Sequence, residues 1–283
     1  MESSLESLTM HESFADIDQI LIAFGLTLFA GLSTGIGSAI AFFAKRTNTK
    51  FLSIALGFSA GVMIYLSFVE IFPKAQEILS AELGSRGGYL MTILAFFSGM
   101  LLIAIIDKLV PAFENPHELK RVEQMQDPEK IKNSKLYRMG MMSALAITIH
   151  NFPEGLATFL AAMQDIRLGL PIAIAIAIHN IPEGIAISVP IHHATGSKRK
   201  AFKYSFLSGL AEPVGALVGF FILMPFINQV VFGFLFASVA GIMVFISIDN
   251  LLPAAREYGE PHLSIYGLTA GMAIMAVSLI FFL

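Results

Sequence analysis

Ala146-Ile147-Thr148-Ile149-His150-Asn151-Phe152-Pro153-Glu154-Gly155-Leu156-Ala157 recurs 29 residues further on as Ala175-Ile176-Ala177-Ile178-His179-Asn180-Ile181-Pro182-Glu183-Gly184-Ile185-Ala186, with nine of the twelve positions identical. Residues four apart share one face of a helix, separated by about 6 Å along its axis, so His150 with Glu154, and His179 with Glu183, each bring an imidazole and a carboxylate together. Both copies lie inside long apolar runs whose central stretches contain no Lys or Arg. Carboxylates and imidazoles are expensive in lipid, so they are expected to face the interior of a bundle and to share a cationic partner. A divalent cation between the two copies answers both imidazoles and both carboxylates. Pro153 and Pro182 each remove a backbone donor and free the carbonyls of Ile149 and Ile178 for an ion or a water. Gly155 and Gly184 let a neighbouring helix approach closely.

The rest of the chain agrees with a membrane setting. It has 283 residues, 55% of them hydrophobic and 14% charged, and its mean hydropathy is +0.73. That is more apolar surface than a soluble domain of this size hides in one core. A span needs about 20 apolar residues, and eight runs qualify: Ile20–Phe43, Phe51–Phe72, Tyr89–Val110, Met139–Met163, Leu168–Ile191, Phe202–Met224, Val230–Leu252 and Leu263–Phe282. The fold expected is an all-α integral membrane protein of eight transmembrane helices. The acidic stretch 1–19 reads as an extracytoplasmic tail, residues 20–283 as one transporter domain, and 111–138 as a charged cytoplasmic tether with little fixed structure. The first 18 residues lack the basic and apolar regions of a cleavable signal, so the first span is expected to direct its own insertion.

Placing the N-terminus outside puts 15 of the 18 Lys and Arg on the cytoplasmic side, leaving Lys74, Arg86 and Arg167 outside. The positive-inside rule therefore puts both termini outside a plasma (inner) membrane. With no Cys, thiolate ligation is excluded and copper(I) disfavoured. The net charge of −3 is no nucleic-acid footprint, and no such partner is expected. The second and seventh spans match each other at an offset of 180, through Ala60-Gly61 with Ala240-Gly241, Met63 with Met243, Ser67 with Ser247 and Pro73 with Pro253. The first and sixth match more faintly, through Gly31-Leu32 with Gly209-Leu210 and Gly37 with Gly215. Under this topology the members of each pair cross in opposite directions, as inverted repeats do in alternating-access carriers.

Glu212, followed by Pro213 in the sixth span, adds a third carboxylate, and Asn151 and Asn180 add neutral oxygens. Mixed nitrogen and oxygen ligation suits zinc, iron(II), manganese or cobalt, whereas calcium prefers oxygen alone. The doubled His-Asn-x-Pro-Glu-Gly, together with Ser208-Gly209-Leu210-Ala211-Glu212-Pro213, resembles the ZIP family of metal transporters across essentially the whole chain. The resemblance implies uptake of zinc and other divalent ions, a 3+2+3 arrangement of spans, a homodimer, and a binuclear centre of His150, Asn151, Glu154, His179, Asn180, Glu183 and Glu212. Zinc, and with it iron(II), manganese, cobalt or cadmium, is cargo rather than cofactor. The chain departs from many eukaryotic relatives in the tether, where His117 stands alone.

Glu70, near the outer end of the second span, is a candidate entrance ligand. Asp107, Asp249 and Asn250 resemble exit ligands, and His192 and His193 fall at the inner end of the helix carrying His179 and Glu183. The fourth and fifth spans are expected to carry the ion against a scaffold of the others. A channel for the same ions is the nearer alternative. An intramembrane metal-dependent hydrolase is the more distant one, because the asymmetric His-Glu-x-x-His arrangement it needs does not appear.

Overall fold

The computed structural model describes residues 17–42, 49–109, 128–258 and 261–280. The acidic tail and most of the tether lie outside the described residues. Those described are helical almost throughout: α1 (Ile17–Ala41), α2 (Thr49–Leu66), α3 (Phe72–Leu109), α4 (Pro128–Gln164), α5 (Ile166–Thr195), α6 (Lys198–Gly209), α7 (Ala211–Val218), α8 (Gln229–Ile246), α9 (Leu252–Tyr258) and α10 (Pro261–Ile280). Among these residues, six stretches are long and apolar enough to cross a membrane: Ile17–Ile40, Lys50–Lys108, Ile166–Thr195, Lys198–Phe226, Gln229–Arg256 and His262–Ile280. The protein is an all-α, multi-pass membrane protein.

The 59-residue stretch Lys50–Lys108 is folded in two. Gly84 has φ +73°, a left-handed conformation that glycine alone adopts readily. The chain then returns so closely that a Cβ on Gly88 would strike the backbone of Leu79 and Ser80. Prolines mark the span limits less sharply than expected. A π-helical turn, Ser67–Ile71, joins α2 to α3, and the helix runs on through Pro73 to this turn rather than stopping at Phe72. The extra residue of a π turn relieves the clash between a proline ring and the preceding turn. A second such turn, Ser247–Leu251, precedes Pro253 between α8 and α9. The start of α4 is a further difference: residues 128–138, expected to belong to the tether, are helical, with Pro128 at the first helical position, where its missing N–H costs nothing.

Two sets of helices pack most closely within themselves. In one, α1 lies along α5, α4 along α5 and α7, and α6 against α1 and α5; in the other, α3 lies along α8, and α2 along α10 and α9. Contact between the sets is mainly α2 against α5, with α4 against α8. Glycines mark the closest approaches. A Cβ on Gly61 would meet the carbonyl of Leu268, and one on Gly241 that of Phe96; Gly37 abuts Ile181, and Gly215 abuts Phe152.

Candidate metal centre

The two hexads sit inside α4 and α5, each helix continuing through its proline. Helix α5 is bounded by Asp165, whose side chain accepts from the N–H of Arg167 at 2.8 Å, and by Gly196 in the left-handed conformation. Its 30 residues make a rod of about 45 Å, and His179 to Glu183 occupy its middle. Gly155 and Gly184 serve as expected. A Cβ on Gly155 would run into the backbone of Glu212, and one on Gly184 into that of Thr34, so the donors are drawn in with the neighbouring backbones.

His150, Asn151, Glu154, His179, Asn180, Glu183 and Glu212 are all fully buried. The structure brings them together crosswise. His150 Nε2 stands 3.3 Å from Glu183 Oε2, and His179 Nε2 stands 3.4 Å from Glu154 Oε2. Each imidazole thus finds its closest carboxylate on the other helix, not four residues along its own. The amides are oriented by backbone: Asn151 Nδ2 donates to the carbonyl of Ser208 at 3.2 Å, and Asn180 Nδ2 to that of Ala30 at 2.8 Å. Asn180 Nδ2 also donates to Glu212 Oε1. With their N–H groups engaged, both amide oxygens are buried without hydrogen-bond partners among the described residues. So are His150 Nδ1, Glu154 Oε1, Glu212 Oε2, and the facing pair His150 Nε2 and Glu183 Oε2. Buried polar atoms are nearly always satisfied, and this concentration of free acceptors is a demand for something cationic or protic. Among the described residues the donors pair with one another and do not surround a common centre.

Glu212 reaches the site because the sixth span is broken. Pro213 cannot donate to Gly209, so the helix slackens at Leu210 between α6 and α7, and Glu212 falls in the first turn of α7, at the favourable end of the helix dipole. No motif or spacing singles out Ser59, whose Oγ lies 3.3 Å from Glu183 Oε1. None announces that the carbonyls of Ala30 and Ser208 orient the two asparagines. The matched first and sixth spans held the one usable clue, since Ala30 and Ser208 share their offset of 178.

The outlying candidates are separate from this cluster. Glu70 is half-buried in the first π turn; in the second, Asn250 is half-buried and Asp249 exposed. Asp107 is exposed at the end of α3. His192 comes nine residues after Glu183, two and a half helical turns, which places it on the opposite side of α5. Its ring meets Phe42 edge-on at 6.2 Å, with exposed His193 5.9 Å beyond.

Fold and site together define a class: multi-span helical membrane proteins with a His, Glu and Asn site enclosed in the bundle. The ZIP Zinc transporter family model matches residues 110–279. The "Zinc transporter ZupT" of Lysinibacillus sphaericus is 66% identical over 262 residues, which cover 92% of this chain and 97% of that one. Its counterpart in Streptococcus mutans is 64% identical over 264 residues, 93% and 98% of the two chains. That in Oceanobacillus iheyensis is 63% identical over 265 residues, 93% and 99%. The chain belongs to the ZIP zinc transporter family.

Proposed function

We infer that the protein is a carrier mediating uptake of zinc, and of iron(II), manganese, cobalt or cadmium as related cargo, across the plasma membrane. The observation that carries this reading is the crosswise, fully buried His–Glu pairing with free amide and carboxylate oxygens around it. An ion entering between α4 and α5 exchanges each imidazole–carboxylate contact for two metal–ligand bonds, and the oriented asparagine oxygens complete its shell. Glu212 and the two hexads have donors enough for two ions bridged by a glutamate. Full burial of all seven residues favours a carrier over a channel, because a conducting pore keeps its site hydrated. Membership of a transporter family sets aside the hydrolase alternative.

Eight spans in a 3+2+3 inverted repeat are the architecture this reading takes. Its support is the recurrence of details at the offsets of the sequence repeat. The Ser67–Ile71 and Ser247–Leu251 π turns, the Gly61 and Gly241 contacts, the Gly37 and Gly215 contacts, the two asparagine–carbonyl bonds and the two His–Glu pairs each match a partner in the other half. The moving unit is larger than spans four and five alone. α1 packs on α5 as intimately as α4 does, and α6 and α7 also rest on α4 and α5, so the set α1 and α4–α7 travels with the ion against α2, α3 and α8–α10. Glu70 serves as entrance ligand; Asp107, Asp249 and Asn250 serve the exit, with His192 and His193 at the inner end of α5. The protein works as a homodimer with both termini outside.

Uptake of zinc-65 by proteoliposomes tests the assignment. Wild-type protein is expected to show saturable uptake and counterflow, and Glu154→Ala or His179→Ala to lose it. Normal transport by either variant means that the site is wrongly assigned.

A further inference from the structure

The seven site residues lie on α4, α5 and α7, within one of the two helix sets, and among the described residues Ser59 hydrogen-bonds to them from the other. Ser59, on α2, is fully buried. Its Oγ lies 3.3 Å from Glu183 Oε1 and 3.4 Å from the carbonyl of His179. A hydroxyl has a single proton, so the two acceptors share it, and the carboxylate, as the charged acceptor, forms the stronger bond. The position 180 residues on is Val239, equally buried and with no donor to offer. On that side Glu154 Oε1 has no hydrogen-bond partner among the described residues. Two nearly identical hexads are therefore held differently: Glu183 is gripped at Oε1 by Ser59, its Oε2 standing 3.3 Å from His150 Nε2 without a hydrogen bond, while Glu154 is held at Oε2 by His179 Nε2 across the helix interface.

We propose that Ser59 is a positioning residue that fixes the Glu183 carboxylate, preforming the His150–Glu183 half of the site while the His179–Glu154 half closes on the ion as it arrives. The proposal rests on the transporter reading above. Because the hydroxyl belongs to α2 and the carboxylate to α5, the bond exists only while the two helix sets hold their present relation. It breaks in wild-type protein whenever the sets slide. Removing it therefore affects loading of the ion more than its passage, which separates Ser59 from a residue that merely packs.

The test is zinc-65 uptake by full-length protein in proteoliposomes, with KM and Vmax determined for Ser59→Ala, Ser59→Cys and Val239→Ala. Losing a hydrogen bond to a charged acceptor is expected to raise KM about tenfold in Ser59→Ala, with Vmax within about twofold of wild type. The weakly donating thiol of Ser59→Cys should give an intermediate KM, and it carries the same comparison if Ser59→Ala does not purify as a monodisperse species. Val239→Ala removes more packing volume at the matching position and should leave KM unchanged. The positioning role is overturned by a wild-type KM in Ser59→Ala or, failing that variant, in Ser59→Cys. A parallel loss of Vmax shared with Val239→Ala, which packing damage gives, overturns it equally. Glu183→Ala separates the two levels: abolished uptake there with a wild-type KM for Ser59→Ala removes Ser59 only, whereas normal uptake in Glu183→Ala removes the site itself.

Discussion

His150 and Glu154 share a helical face, yet the closest carboxylate to His150 is Glu183, across the helix interface. Pairing across helices makes each half of the site depend on the other, so the energetics should be cooperative between copies rather than within them. A double-mutant cycle on zinc KM, using Gln for Glu and Asn for His, should give His150 with Glu183 a coupling of about 1–2 kcal/mol and His150 with Glu154 a clearly smaller one. Equal couplings would return the site to two independent i, i+4 pairs. Asn180 gives a second test. Its Nδ2 donates to Ala30 and to Glu212, so Asn180→Asp sets a second carboxylate against Glu212 and leaves the Ala30 carbonyl unanswered. Thermal unfolding in detergent should show a loss of about 1–3 kcal/mol, partly recovered by added zinc, which supplies the missing positive charge. The seven residues that the structure buries together were each legible in the sequence, because a duplicated hexad and a Glu-Pro in an apolar run are local patterns. Their crosswise partners were not, since which imidazole meets which carboxylate depends on the rotation of α4 against α5. Ser59 was unreadable for a related reason: one serine in Gly57-Phe58-Ser59-Ala60-Gly61 carries no chemistry until another helix brings it an acceptor.

At the scale of elements, glycine and proline decide how closely helices meet and where they bend. Gly184 lies against the backbone of Thr34 and Gly155 against that of Glu212. A methyl group there must push apart the helices that hold the donors. Gly184→Ala or Gly155→Ala should lower stability by about 1–3 kcal/mol and reduce zinc uptake more than the stability loss explains. Gly25→Ala on α1, where nothing lies within 4 Å, should be neutral or gain up to about 1 kcal/mol; thermal scans of the three purified variants make the comparison. The apolar runs gave the spans well, because hydropathy needs no knowledge of neighbours. Their limits were misjudged where a proline was taken as a stop. Pro73 and Pro253 both lie within continuing helix, each made tolerable by a preceding π turn that no local residue preference announces. The helix at residues 128–138 was missed because its charged sequence reads equally as a solvated tether and as a polar helix end.

Over the whole molecule, charge and connectivity must agree on which way the chain faces. Lys198, Arg199, Lys200 and Lys203 are exposed at the start of α6, whereas Arg86 and Arg167 are exposed beside the Gly84 turn and at the start of α5. α5 runs from Arg167 to the Gly196 cap, a length of about 45 Å that covers a bilayer with its headgroups, so Arg167 and Arg199 must stand on opposite sides. The positive-inside rule predicts the dense cluster in the cytoplasm, which would place Arg167, and by the alternation of spans Arg86 as well, outside. Because the chain has no cysteine, one introduced thiol reports its side without background. Arg86→Cys and Arg167→Cys should react with a membrane-impermeant maleimide in intact cells, and Arg199→Cys only after permeabilisation. The reverse pattern would invert the molecule and exchange Glu70 with Asp249 as the first carboxylate an incoming ion meets. A mixed pattern, with Arg86→Cys and Arg167→Cys on different sides, would break the even number of crossings between them and with it the inverted repeat on which alternating access depends.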